Sequence, residues 1–107
     1  MELNRIYQFD CTYGMKLLPE ESVDLIIADP PYNIGGKGVY VESEDKHHKT
    51  IKEDWDTIKD FEAFNLQWLT DCFRLLKQGG SILAWGTHHN IYQLGYLIEK
   101  IGYQMRM

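Results

Sequence analysis

The stretch VDLIIADPPY, residues 23–32, decides the fold. Val23 to Ala28 is apolar except for Asp24 and shows no amphipathic alternation, as expected for a central parallel strand covered on both faces. Two prolines then stop it. Each lacks an amide hydrogen and fixes φ, and each pushes its preceding residue towards extended geometry, so Pro30-Pro31 builds a stiff exit from the strand. The Pro30 carbonyl therefore points in a set direction beside the Asp29 carboxylate. Two acceptors held side by side can receive both hydrogens of a planar amino group, and Tyr32 offers a flat face for an aromatic ring. An aromatic amine is a poor nucleophile because its lone pair is delocalised. Drawing both hydrogens towards fixed acceptors favours a pyramidal nitrogen and localises that pair for attack. The same four residues also suit a rigid turn in which Asp29 caps backbone donors. Their place directly after a buried strand, where the rim of an α/β enzyme lies, favours the catalytic reading.

Outward from this stretch, strand and helix alternate. Ile6 to Phe9 is short, β-prone and closed by Asp10, and Thr12 to Leu18 offers a brief helix ended by Pro19. Residues 33–56 carry no sustained period and are rich in Gly, Lys, Glu, Asp and His. A stretch of that length without structure reads as a substrate-facing loop, with Ile34-Gly35-Gly36-Lys37-Gly38 as its hinge. Thr57-Ile58-Lys59-Asp60 has the form of a helix start. Phe61, Phe64, Trp68, Cys72, Leu75 and Leu76 then share one helical face until Gly79-Gly80 stops it, giving a helix of about five turns. Ser81 to Trp85 reads as a strand. Ile91, Leu94, Leu97, Ile98 and Ile101 mark a last helix closed by Gly102, and Tyr103-Gln104-Met105 opens a further strand. The order predicts an α/β domain over residues 1–107, with a mostly parallel sheet and helices on both faces. Asp10, Asp29 to Tyr32 and Gly86-Thr87-His88 would converge on the rim at the carboxyl ends of the strands.

The 107 residues suffice for one compact unit but are few for an enzyme that binds two substrates. No apolar run approaches a membrane span, and the start lacks the features of a secretory signal, which places the chain in the cytoplasm. Cys11 and Cys72 lie among apolar neighbours and read as packed, reduced thiols. His47-His48 and His88-His89 do not make a metal site, since adjacent histidines point apart in a strand and no cluster completes a ligand set. Eleven Lys and Arg against sixteen Asp and Glu give a net charge of −5, which argues against a nucleic-acid partner because phosphate contacts need cations. Lys46 to Lys52 is a local exception, with three lysines and no acid; it suits either a solvated loop or a phosphate contact. Trp55 reads either as a cover for the substrate pocket or as an anchor pinning the long loop to the core.

Asp29-Pro30-Pro31-Tyr32 resembles the [Asp/Asn/Ser]-Pro-Pro-[Tyr/Phe] signature of the site-specific DNA amino-methyltransferases, which act on the exocyclic amines of adenine or cytosine. The similarity extends over nearly the whole chain. Phe9-Asp10-Cys11 and Leu17 to Asp24 resemble the family's approach to the signature, and Asp54-Trp55-Asp56, Arg74 to Ser81 and His89 to Tyr92 its continuation. The resemblance implies part of a Rossmann-like S-adenosylmethionine-dependent methyltransferase fold. It implies that the base is flipped out of the duplex, with Asp29 and the Pro30-Pro31 turn receiving its amine and Tyr32 and Asn33 contacting it. Asp29 and Asp10 would also face the methyl donor, S-adenosylmethionine. For Asp10 a helix N-cap is an equal reading. Asp at position 29 leans towards adenine-N6 over cytosine-N4.

The order of parts suggests the branch in which the catalytic signature precedes the donor-binding Phe-x-Gly-x-Gly motif. That motif and the target-recognition segment are absent from these residues. The sequence therefore reads as the N-terminal catalytic part of a DNA methyltransferase, partnered by DNA and by a C-terminal half or a second copy. A non-catalytic module that binds nucleic acid or a partner half is the other class that fits. So is an enzyme methylating other amines, although such signatures usually open with Asn and follow the donor-binding glycines.

Overall fold

The computed structural model describes residues 1–33, 40, 41, 49, 50 and 57–106. In chain order the elements are α1 (Cys11–Lys16), β1 (Val23–Ala28), β2 (Tyr40–Val41), β3 (Lys49–Thr50), α2 (Phe61–Leu75), β4 (Leu76–Ala84) and α3 (Ile91–Ile101). β1 and β4 form a parallel two-stranded sheet, and β2 pairs antiparallel with β3. That short pair interrupts the segment expected to lack structure. The expected hinge at 34–38, Trp55 and most of the basic stretch 46–52 lie outside the described residues.

α2 begins where Asp60 caps it, its carboxylate accepting from the Ala63 amide at 3.0 Å, three residues later than the Thr57 start. Its inward face carries Trp68, Leu69, Cys72 and Leu75, all buried. Leu94 and Leu97 of α3 complete the core, against which Ile26 and Ala28 of β1, Ile82 and Ala84 of β4 and Met15 of α1 pack. Asn65 is buried among them without penalty. Its Oδ1 accepts from Trp68 Nε1 at 2.9 Å and its Nδ2 donates to Gln93 Oε1 at 3.1 Å, tying α2 to α3.

α2 ends at Leu75, about a turn earlier than its glycines suggest. Leu76 is extended, and the carbonyls of Arg74 and Leu75 accept from the Glu21 and Ser22 amides at 3.0 and 2.9 Å. The turn before β1 thus satisfies the helix's last acceptors. Arg74 returns the connection: its guanidinium donates to the Met15 and Leu18 carbonyls at 2.8 and 3.1 Å, closing the end of α1. Gly79 and Gly80 serve the sheet instead. The register runs from Val23↔Leu76 to Leu25↔Ser81, so β4 bulges outward over these residues. Gly79 has φ +79°, and a Cβ on Gly80 would come within 2.9 Å of the Lys77 carbonyl and 3.2 Å of that of Asp24.

Two expected strands do not form. At residues 6–9 local contacts prevail: the Tyr7 and Phe9 rings lie 5.8 Å apart, and Phe9 packs over Gly14 of α1 where any Cβ would collide. Tyr103 is claimed by α2, donating its hydroxyl to the Leu69 carbonyl at 2.7 Å and setting its ring edge-on to Phe73. The described helices form one layer on one face of the sheet, not two, because α1 and α3 both pack on α2. Of the cysteines only Cys72 is buried, with its Sγ 3.8 Å from Met15 Sδ; Cys11 is exposed, and both are free thiols.

Leu69 has 0% of its surface exposed, so Leu69→Ala is expected to cost about 2–5 kcal/mol in urea denaturation, whereas Ile6→Ala on the surface stays within about 0.5 kcal/mol. Burial pushes the Cys72 thiol from 9.0 up to about 12. A group raised in the folded state stabilises fully below its unfolded value and loses that contribution as pH rises towards the folded one. Stability should therefore fall between about pH 9 and pH 12, and Cys72→Val should flatten that fall in urea midpoints measured across the range.

Candidate functional site

β1 and β4 leave the sheet at the same end. Their register holds Ile26 beside Ile82, Ile27 beside Leu83 and Ala28 beside Ala84, and one further bond, from the Trp85 amide to the Ala28 carbonyl at 3.1 Å, carries the ladder past both strands. Asp29 therefore emerges next to Trp85, and Pro30-Pro31 beside the turn that starts at Gly86. Two of the three rim segments expected from the sequence are brought together. No strand leads into the third, Asp10.

Asp29 stands exposed at the end of β1, while Pro30, Pro31, Tyr32 and Asn33 are half-buried. The side chain of Ile27 points away from the helices and that of Ala28 towards them, so by strand alternation Asp29 follows Ile27 outward. The Tyr32 hydroxyl donates to Asp29 Oδ1 and fixes the phenol ring beside the carboxylate. An ionised carboxylate has about four acceptor positions, so this bond leaves it capacity to receive another donor. Asn33 takes φ 58°, a left-handed conformation that Asn tolerates better than most residues, and its Oδ1 accepts from the Ile58 amide at 2.7 Å. It thereby pins the two ends of the intervening segment together. That structural job adds to the substrate contact expected of it.

Asp10 caps α1. Its Oδ1 accepts from the Thr12 amide at 2.9 Å and from the Thr12 hydroxyl at 2.6 Å. The hydroxyl bond, followed by the amide bond, holds its carboxyl below the usual carboxylate range. The N-cap reading of this residue is realised.

On the opposite side of the rim, the 85–90 turn is shaped by a residue the sequence reading did not single out for this role. Asn90 is buried, and its Oδ1 accepts from the Thr87 amide at 2.7 Å. A Cβ on Gly86 would stand 2.8 Å from that same oxygen, so the turn needs glycine there. An Asn directly before the apolar periodicity of α3 suggested a helix N-cap, but its side chain makes no capping bond to α3 and instead closes the turn behind it. The His88 and His89 rings lie 3.9 Å apart in this turn, which corrects the view that neighbouring histidines here point apart. Among the described residues no group of three or more His, Cys, Asp or Glu side chains is placed to hold a metal.

The family profile described as DNA methylase, for N6 and N4 methyltransferases, matches residues 23–107. The type II methyltransferase M.HinfI of Haemophilus influenzae is 36% identical over 104 residues, covering 94% of this chain and 29% of its own length. M2.MboI of Moraxella bovis, also a type II methyltransferase, is 34% identical over 104 residues, covering 94% of this chain and 37% of its own. The chain thus spans about a third of the length of these curated relatives. Since the profile runs from the first residue of β1 through all of α3 and takes in Asp29 to Tyr32, the chain belongs to the DNA methylase family.

Proposed function

We propose that this chain is the catalytic part of an S-adenosylmethionine-dependent DNA methyltransferase that methylates the N6 amine of an adenine extruded from the duplex. One observation carries the reading: an exposed carboxylate at the carboxyl end of a parallel strand, bonded to the hydroxyl of a half-buried tyrosine three residues on. A flipped base needs a flat partner and an acceptor for its amine within one short stretch, and Tyr32 and Asp29 are that pair. The parallel ladder is read as part of a Rossmann-like sheet, whose ligands lie at this end of the strands. The proposed setting is the cytoplasm. No described helix is long and apolar enough to cross a membrane.

In this reading Asp29 and the Pro30 carbonyl accept the two amine hydrogens, raising the nucleophilicity of the nitrogen, and the carboxylate balances the positive charge that grows there as the new N–C bond forms. Tyr32 and Pro31 hold the ring in place, and Asn33 contacts the base while keeping the loop ends closed. The proton released from the amine leaves through Asp29 to solvent. When bound, S-adenosylmethionine supplies an electrophilic methyl on a sulfonium. The exposed carboxylates of Asp29 and Asp10 suit its positive charge and its hydroxyl groups, and the Asp10 side chain retains acceptor capacity beyond its Thr12 bonds.

With labelled S-adenosylmethionine and DNA, the product is expected to be N6-methyladenine, and base analysis separates it from N4-methylcytosine. Asp29→Ala should lower the rate about a hundred- to a thousandfold, and full activity in that variant would overturn the assignment. Asp10→Asn tests the donor contact separately. Asn caps a helix as well as Asp does, so the melting temperature should hold while KM for S-adenosylmethionine rises; an unchanged KM would leave Asp10 with its capping role alone.

A further inference from the structure

α3 opens on the same rim as Asp29, because it follows the turn that the Trp85 amide ties to the end of β1. Its first turn is short of acceptors. The Thr87 carbonyl accepts from the Ile91 amide at 2.9 Å, but the Tyr92 and Gln93 amides that come next have no acceptor among the described residues. No described side chain caps them, and no acid stands in that turn. The N-cap residue, Asn90, adds a third unmet donor. It is only 3% exposed, and its amide group is held inside the 86–90 turn by the bond from the Thr87 amide to Oδ1, yet Nδ2 of the same planar group meets no acceptor among the described residues. Buried amide hydrogens are almost always paired. A donor left open beside the uncapped positive end of a helix therefore marks a place for an acceptor brought from outside.

We propose that the start of α3, through the Tyr92 and Gln93 amides and Asn90 Nδ2, binds a phosphate, and that this phosphate belongs to the nucleic-acid backbone beside the extruded nucleotide. Free amides at a helix start are a ready anion site, and contacts of this kind fix the register of a protein on a duplex without reading bases. The charge of the chain favours such a device. At −5 it repels DNA as a whole, whereas a helix start attracts phosphate with partial charges alone and needs no lysine. The place fits as well. An extruded base stays joined to its sugar and phosphates, so a ring held between Asp29 and Tyr32 brings its own backbone to the same rim. Because Asn90 is enclosed, a phosphate oxygen reaches Nδ2 only as the turn parts around it, which couples the deepest donor to seating on the two backbone amides. The site rests on DNA being the substrate, as read above, but on neither the base methylated nor the role of Asp29.

Nuclear magnetic resonance titration of the nitrogen-15-labelled 107-residue chain tests it. The Tyr92 and Gln93 amide resonances and the Asn90 side-chain amide should shift and saturate with an adenine-containing duplex oligonucleotide, and with inorganic phosphate only at much higher concentration. No shift with either would overturn the proposal, and so would saturation by inorganic phosphate without a response to the oligonucleotide, which would make this a site for the free anion. Two variants carry the test further. Asn90→Asp keeps an acceptor for the Thr87 amide, and Tyr92→Glu changes a side chain that is 83% exposed. Both put an acid at a helix start, which favours the helix. The melting temperature should therefore hold while the Kd for the oligonucleotide rises at least about tenfold. Gln78→Glu adds the same charge on an exposed residue at the far end of β4, where salt screens it from the rim, and should change the Kd less than about twofold. An equal loss in Gln78→Glu would reveal general repulsion, and unchanged binding in the first two variants would leave Asn90 with the turn alone; either result overturns the site. None of these readouts involves methyl transfer, so they fail or hold separately from the reaction assigned to Asp29.

Discussion

The backbone ladder between β1 and β4 is the constraint on which the site depends. It pairs Ile27 with Leu83 and Ala28 with Ala84, and the bond from the Trp85 amide to the Ala28 carbonyl extends it beyond the strands. Parallel strands in register must leave the sheet at the same end, so the Asp29 exit and the 85–90 turn become neighbours although more than fifty residues separate them. Shifting one strand by a single residue would turn Asp29 towards the helices and bury a carboxylate among Ile and Leu side chains. The register is therefore enforced by the core as well as by the ladder: Ile26, Ala28, Ile82 and Ala84 all have to face Leu94, Leu97 and Trp68.

That ladder is held in place by contacts at the far end of the sheet. The guanidinium of Arg74 closes the last carbonyls of α1, and the Glu21 and Ser22 amides close those of α2, so one helix end and one strand start share their unsatisfied groups. Hydrogen bonds to a charged donor are stronger than neutral ones, at about 1.5–3 kcal/mol each. Close by, the bulge through Gly79 and Gly80 absorbs three surplus residues of β4, after which the pairing resumes in phase up to the rim. The ion pair of Lys77 with Asp24 at 3.3 Å spans this bulge, but both side chains are well exposed and such pairs contribute little.

At the rim the chemistry is concentrated in a few bonds. Tyr32 is held to Asp29, Asn33 to the Ile58 amide, and Asn90 to the Thr87 amide. Each is a side chain that shapes its own loop, which is how a functional loop gains rigidity without adding to the core. Membership of the DNA methylase family agrees with this arrangement, since the matched region begins at β1 and contains every element of the ladder and rim from there on.

By itself the sequence determined the apolar strand, though not its cover on both faces, together with its abrupt end at two prolines, both long amphipathic helices and the family, because each is written in local patterns: an apolar run, fixed φ angles, a 3.6-residue period, a four-residue signature. Burial of Trp68, Cys72, Leu94 and Leu97 followed from that period, whereas the cap at Asp10 was one of two equal readings that the structure realises. What only the tertiary structure decided was the outcome of competition between distant segments. Phe9 and Tyr103 carry β-prone side chains, yet Gly14 and Leu69 claim them and no strand forms. Gly79-Gly80 reads as a helix stop, but the helix has already yielded to amides from residues 21 and 22, which leaves the glycines to bend a strand. Likewise an apolar strand predicts cover on both faces. Which face receives the helices depends on where α1 and α3 dock on α2, and no pattern within any one segment encodes that choice.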